Sequence, residues 1–120
     1  AYKDVIDKLF SEFQFKKIGI TLRESLSASD NNWSAIYSEG NKMHIGQKYS
    51  VHMVDRVGGG DAFSAGIIYG NIQEMSAEET LKFAVASSAL AHTIHGDLNL
   101  VSLDEVNAVA KGDTSGRVQR

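Results

Sequence analysis

The sequence predicts an α/β fold, and three observations carry the prediction. Residues 2–15 pattern as an amphipathic helix and lead into a short apolar run suited to a buried strand. Residues 49–54 read as a strand that delivers the chain to a glycine-rich loop, and that loop opens a further helix. Beyond it, Ser76 with Glu79 and Ser102 with Glu105 form two capping boxes, each announcing a helix.

Each element has its own warrant. In the first helix Val5, Ile6, Leu9, Phe10 and Phe13 recur at helical spacing, with Asp4, Lys8 and Glu12 opposite. Its aromatic stripe is expected to be core. Lys17-Ile18-Gly19-Ile20-Thr21-Leu22 is the strand that it feeds, and this order predicts parallel pairing. Ser27-Ala28-Ser29-Asp30-Asn31-Asn32 reads as a polar turn. Trp33-Ser34-Ala35-Ile36-Tyr37 alternates as a strand does, and Glu39-Gly40-Asn41 turns the chain. Residues 42–45 and 49–54 are further strands, so hairpins are expected at one edge of the sheet.

Residues 62–71 read as a helix whose small residues, Ala62, Ala65, Gly66 and Gly70, allow another element close. The helix begun at Ser76 should run to about His95, with Gly96 as its stop. Phe83, Val85, Leu90 and the alanines around them make it apolar over much of its circumference, so burial is expected. The last helix should end near Gly112, and the tail from Asp113 is polar.

Composition narrows the function classes. At 120 residues and 42% hydrophobic content, residues 1–120 fit one domain with a real core. Twelve basic and 15 acidic residues give a net charge of −3 without a basic block, which argues against a nucleic-acid partner. There is no cysteine, hence no disulfide scaffold and no Cys-based metal site. No apolar run reaches membrane-spanning length, so no membrane partner and a cytoplasmic location are expected. His92 and His95 stand three apart, but no third ligand accompanies them and a structural role is expected.

The chemistry concentrates in Val54-Asp55-Arg56-Val57-Gly58-Gly59-Gly60-Asp61-Ala62-Phe63. Glycines let a backbone approach a ligand closely, and the amides that open a helix lack intrahelical acceptors. Together they make an anion site suited to phosphate. Asp61 sits at its rim, where a carboxylate is repelled by phosphate and needs a reason to be there. Proton abstraction from an attacking hydroxyl is one reason. A plain helix N-cap in a flexible turn is the other.

That run, with Ala65-Gly66 and Gly70 after it, resembles the C-terminal signature of the ribokinase-like (PfkB-type) carbohydrate kinases, usually Asp-Thr-x-Gly-Ala-Gly-Asp. Arg56 in place of Thr is similar to the subgroup acting on 2-keto-3-deoxygluconate. His95-Gly96-Asp97 and Ser115-Gly116-Arg117-Val118-Gln119-Arg120 point the same way. The resemblance implies the C-terminal portion of a three-layer α/β/α fold, with a mainly parallel sheet and an antiparallel edge. It implies ATP-dependent phosphorylation of a sugar acid, with Asp61 as the base. The amides of Gly58, Gly59 and Gly60 would form the anion hole, and Asp55 and Arg56 would shape the loop. Asp97 would meet substrate or is a turn residue at the helix end, and Arg56 would also meet phosphate or the sugar carboxylate or is a surface ion pair. Mg2+ would arrive with ATP, held mainly by phosphates and water. Relatives are often homo-oligomers.

The pattern also departs from the family. Relatives carry a glycine-rich turn after the strand ending Thr21-Leu22, whereas this chain reads Arg23-Glu24-Ser25-Leu26. Arg23 is either a side-chain substitute for those phosphate contacts or plain surface. Val85 stands near the point where some relatives place an adenine-contacting Asn. Family members are more than twice as long, so the chain reads as the nucleotide-binding C-terminal half of a larger kinase, inactive alone, with the substrate lid and an Asn-x-x-Glu magnesium motif upstream. Asn71-Ile72-Gln73-Glu74 spells that motif in the wrong place and reads as a helix end. A kinase for another sugar, fructose- or ribose-type, and a non-catalytic nucleotide-binding domain remain the alternatives.

Overall fold

The computed structural model describes residues 1–96 and 98–112. The order is α1 (Tyr2–Glu12), β1 (Lys17–Ser25), β2 (Asp30–Glu39), β3 (Lys42–Ile45), β4 (Tyr49–His52), α2 (Gly59–Ile72), α3 (Ala77–Ala91) and α4 (Leu103–Gly112). The α/β class therefore stands. The polar tail from Asp113 lies outside the described residues.

The expectation of mainly parallel pairing is corrected. β1 pairs antiparallel with β2 from Lys17↔Glu39 to Ser25↔Asn31, and β3 and β4 both pair antiparallel along the other edge of β2. The physical reason is connection length. A parallel pair needs a crossover of about a dozen residues or more, and these strands follow one another through short links. Gly40 makes one such link at φ 60°. Gly46 marks the break between β3 and β4, its amide donating to the Ala35 carbonyl at 2.8 Å. In effect one interrupted strand lines that edge of β2.

Side-chain alternation sends Trp33, Ala35 and Tyr37 of β2 into a cluster with Phe63 of α2 and Leu81, Ala84 and Val85 of α3. Ser34, Ile36 and Ser38 point to the opposite face and are buried as well, so both faces of β2 are covered. Tyr2 of α1 shares a groove with Leu22 and Ser34 on that second face, which puts α1 across the sheet from α2 and α3. A layer of helix, sheet and helix results.

α3 is buried on nearly every side, as its composition predicts. One flank meets the sheet cluster, and Phe83, Ala86 and Leu90 pack with Val106 of α4 on the other. The capping box forms as expected, with the Ser76 hydroxyl accepting from the Glu79 amide at 3.1 Å. The indole of Trp33 donates to the Ser88 hydroxyl at 2.7 Å and ties β2 to α3.

α1 behaves differently from its pattern. Ile6 is its one buried residue, while Phe13 and Phe15 lie beyond its end, half exposed and stacked on each other at 5.2 Å. The expected aromatic core stripe is thus corrected: Phe10 is half-buried and Phe13 exposed. The polar turn expected at 30–32 is corrected too, because β2 already begins at Asp30. Cross-strand hydrogen bonds satisfy those polar side chains inside the ladder. Asn32 donates to Glu24 at 3.0 Å, and Asp30 meets His52 at 2.8 Å.

Candidate active site

The glycine loop leaves β4 and opens α2, and its glycines do different work. Gly58 is the helix N-cap at φ 86°, a left-handed conformation that side chains disfavour. Gly59 and Gly60 are the first two helical residues. The first amide to bond within the helix is that of Ala62, to the Gly58 carbonyl at 2.8 Å. The amides before it have no intrahelical acceptor, so they point partial positive charge outward. A Cβ on Gly60 would meet nothing within 4 Å, so its backbone stands open to a ligand.

Asp61 is the third residue of α2 and is exposed. It is not the helix N-cap, since Gly58 takes that place, and Asp61 makes no capping hydrogen bond. Among the described residues its carboxylate has no ion pair or hydrogen bond. It lines a cleft of about 500 Å³ between β1 and α2, with Gly60 and Ser64 beside it and Gly19 and Thr21 across from it. An uncommitted carboxylate in a cleft, next to unpaired amides, is what proton abstraction at a phosphate site requires.

Asp55 is committed to the backbone. Its carboxylate accepts from the amides of Val57 at 3.2 Å and Gly96 at 2.9 Å. The Gly96 amide first, and then Val57, hold this carboxyl below the ordinary aspartate value. Asp55 thus ties the loop to the turn after α3. A group with a lowered folded pKa contributes stability above its unfolded value of about 4. That contribution is lost as pH falls through the folded value. Asp55→Ala should therefore speed amide exchange at Val57 and Gly96 near pH 6, and the difference from wild type should vanish in acid.

Neither candidate arginine lines the Asp61 cleft: Arg56 belongs to the loop, and Arg23 lines the groove shared by Tyr2 and Leu22. Arg56 donates from Nη2 to the Ala28 carbonyl at 3.2 Å, reaching back to the turn between β1 and β2. Arg23 lies in β1, which runs on through Ser25 where the family pattern expects a glycine turn. Among the described residues the Arg23 guanidinium has no ion pair or hydrogen bond. Both guanidinium charges are felt at His92, whose imidazole is pushed below its ordinary pKa mainly by burial.

Other expectations sort clearly. Asp97 lies outside the described residues. Val85 is 1% exposed in the core and offers no surface to a base. Asn71 bonds to the Tyr37 hydroxyl at 3.1 Å and to Lys17, and Glu74 sits past the helix end at φ 56°. That supports reading Asn71-Ile72-Gln73-Glu74 as a helix end. Sequence reasoning missed Gly19, Thr21 and Ser64 as cleft residues. Helical spacing from Gly60 and Asp61 was the signal for Ser64, whereas Gly19 and Thr21 come there only because β1 packs beside α2, which no local signal announces. Among the described residues no three His, Asp or Glu side chains gather as a metal site, and no helix is long and apolar enough to cross a membrane.

The sequence pattern of the pfkB family carbohydrate kinases matches residues 31–103, more than half of the chain and all of the glycine loop. The chain belongs to that family. A 2-dehydro-3-deoxygluconokinase of Thermotoga maritima superposes with a TM-score of 0.90 at 40% identity, over 93% of this chain and 34% of that one. A PfkB family carbohydrate kinase of Listeria grayi superposes with a TM-score of 0.86 at 30% identity, over 89% of this chain and 34% of that one. A 2-dehydro-3-deoxygalactonokinase of Haloferax volcanii is 29% identical over 109 residues, which is 91% of this chain and 32% of that protein. This PfkB chain thus spans about a third of the length of the relatives that it matches.

Proposed function

We propose that this PfkB chain is the nucleotide-binding C-terminal part of an ATP-dependent sugar-acid kinase, and that its substrate is 2-keto-3-deoxygluconate. The observation that carries the reading is the exposed, uncommitted Asp61 beside the unpaired amides of α2, on one cleft. The Thermotoga maritima relative, named for the gluconate substrate, supports the choice of acid.

In this reading Asp61 takes the proton from the terminal hydroxyl of the sugar acid as that oxygen attacks the γ-phosphorus of ATP. The new O–P bond forms while the bond from the γ-phosphorus to its bridging oxygen breaks. ADP leaves, and the proton rests on Asp61. The amides of Gly58, Gly59 and Gly60 face the charge on the transferred group. Magnesium would arrive with the ATP phosphates, held by them and by water, and would supply charge neutralisation there. Arg23, uncommitted among the described residues, supplies a phosphate contact by side chain where relatives use a glycine turn. Arg56 and Asp97 are proposed to meet the substrate, and Asp55 to hold the loop.

The Haloferax volcanii relative favours one competing substrate, the galactonate epimer. The deciding experiment measures ATP-dependent phosphate transfer by the longest natural form that carries residues 1–120. Both keto acids are supplied, with fructose and ribose as controls. Faster turnover of 2-keto-3-deoxygluconate supports the proposal. Preference for another sugar replaces the substrate and keeps the chemistry, while ATP binding without transfer to any sugar overturns it. Arg23→Gln should raise the KM for ATP about tenfold, as loss of a charged phosphate contact does, with little change in the sugar KM.

A further inference from the structure

The glycine loop is held from behind by a residue that takes no part in the phosphate transfer. His92 follows the last turn of α3 and is 3% exposed. Its Nδ1 lies 2.7 Å from the Ser88 carbonyl, which can only accept, so Nδ1 carries the proton. In the neutral ring Nε2 then holds the lone pair, and among the described residues it has no partner. Trp33 braces the ring, with centroids 4.5 Å apart.

The free edge of this ring faces Gly59. A Cβ on Gly59 would come under 3.0 Å from both Nε2 and Cε1. Gly59 has no positive φ, so it must be glycine for space and not for conformation. The backbone of His92 works on the same loop, because its carbonyl accepts from the amides of Val54 at 2.9 Å and Asp55 at 3.3 Å. One residue therefore touches the loop where it leaves the sheet and again where it becomes helix.

We propose that His92 is the positioning residue of the anion hole: its ring sets how deep Gly59 sits, and its carbonyl sets where the loop begins. The claim rests on reading the loop as the site of the transferred phosphoryl group. Amides stabilise developing charge only at about 2.7–3.1 Å, so a loop that settles by a few tenths of an ångström loses that effect without unfolding.

The test is a double-mutant cycle in the longest natural form. His92→Asn keeps a donor near the position of Nδ1 and empties the space beneath Gly59. Gly59→Ala puts a Cβ into that space. Each variant is assayed with ATP and 2-keto-3-deoxygluconate at a temperature where circular dichroism shows it folded. Gly59→Ala should lower kcat about 100-fold, and His92→Asn about tenfold, with the sugar KM unchanged. The pair should be no slower than Gly59→Ala alone, where independent effects would multiply to about 1,000-fold. Multiplying losses in an active protein overturn the proposal and spare the kinase reading. If Gly59→Ala does not fold, His92→Asn decides alone. A lower kcat at constant sugar KM supports positioning, and an unchanged kcat with a lower Tm reduces His92 to packing. A wild-type protein that transfers phosphate to no sugar overturns the kinase reading, and this proposal with it.

Discussion

Asp61→Asn should lower kcat by about 1,000-fold or more and leave the fold intact. The carboxamide has the shape of the carboxylate, and the carboxylate is exposed without a hydrogen bond or ion pair among the described residues. Little in the native contacts is therefore lost. A negative charge in the first turn does complement the helix dipole, so a small fall in stability is expected. The affinity for ATP should hold or improve, because the mutation removes a repulsion from the phosphates. This combination separates the two uses of an acid at such a place. A base gives a collapsed kcat with a steady Tm and a steady or lower KM for ATP. A mere dipole partner gives near-normal kcat and a slightly lower Tm. Kinetics and thermal unfolding on the same variant read both.

The parts legible in the sequence were those fixed by neighbours in the chain. The capping box at Ser76 and Glu79 needs only three residues of separation, and it forms. The burial of α3 follows from apolar residues around its whole circumference. The run Gly58, Gly59 and Gly60 at a helix start is equally local, although α2 begins at Gly59 and not at Ala62, and its open amides follow from helix geometry alone.

What was not legible depends on partners far along the chain. Strand direction is one case. A helix leading into β1 resembles half of a parallel unit, yet β1 pairs with the strand that follows it. Asp30 and Asn32 read as turn formers because their side chains compete for backbone bonds. Inside the sheet those side chains find Glu24 and His52 across the ladder, and the competition ends. His92 is the third case. Its spacing from His95 carries no information, and its place beneath Gly59 comes from the packing of α3 against the loop. Arg56 shows the converse. Its type suits oxyanions, but its hydrogen bond goes to the backbone of Ala28.

Two glycines of one helix should respond in opposite ways, and the larger effect belongs to Gly66. A Cβ there would lie 2.6 Å from the Cα of Ala84 and 2.9 Å from its Cβ. Both are rigid parts of α3, so no side chain can swing aside. Gly66→Leu gains about 1 kcal/mol of helix propensity. Overpacking against backbone costs about 3 kcal/mol or more beyond that gain, because the helices must separate along a shared core. For a domain of this size each kcal/mol moves Tm by about 4–8 °C, so the variant should melt at least about 12 °C lower. Gly60→Ala provides the contrast. Nothing lies within 4 Å of its Cβ position and its φ is not positive. The same propensity gain then stands unopposed, and Tm should hold or rise slightly. Activity should fall all the same, because the new methyl projects where the cleft meets the amides of α2. Thermal melts and initial rates on both variants would show stability lost at Gly66 and catalysis lost at Gly60. Equal melting temperatures would mean that α2 and α3 do not pack as closely as these distances require.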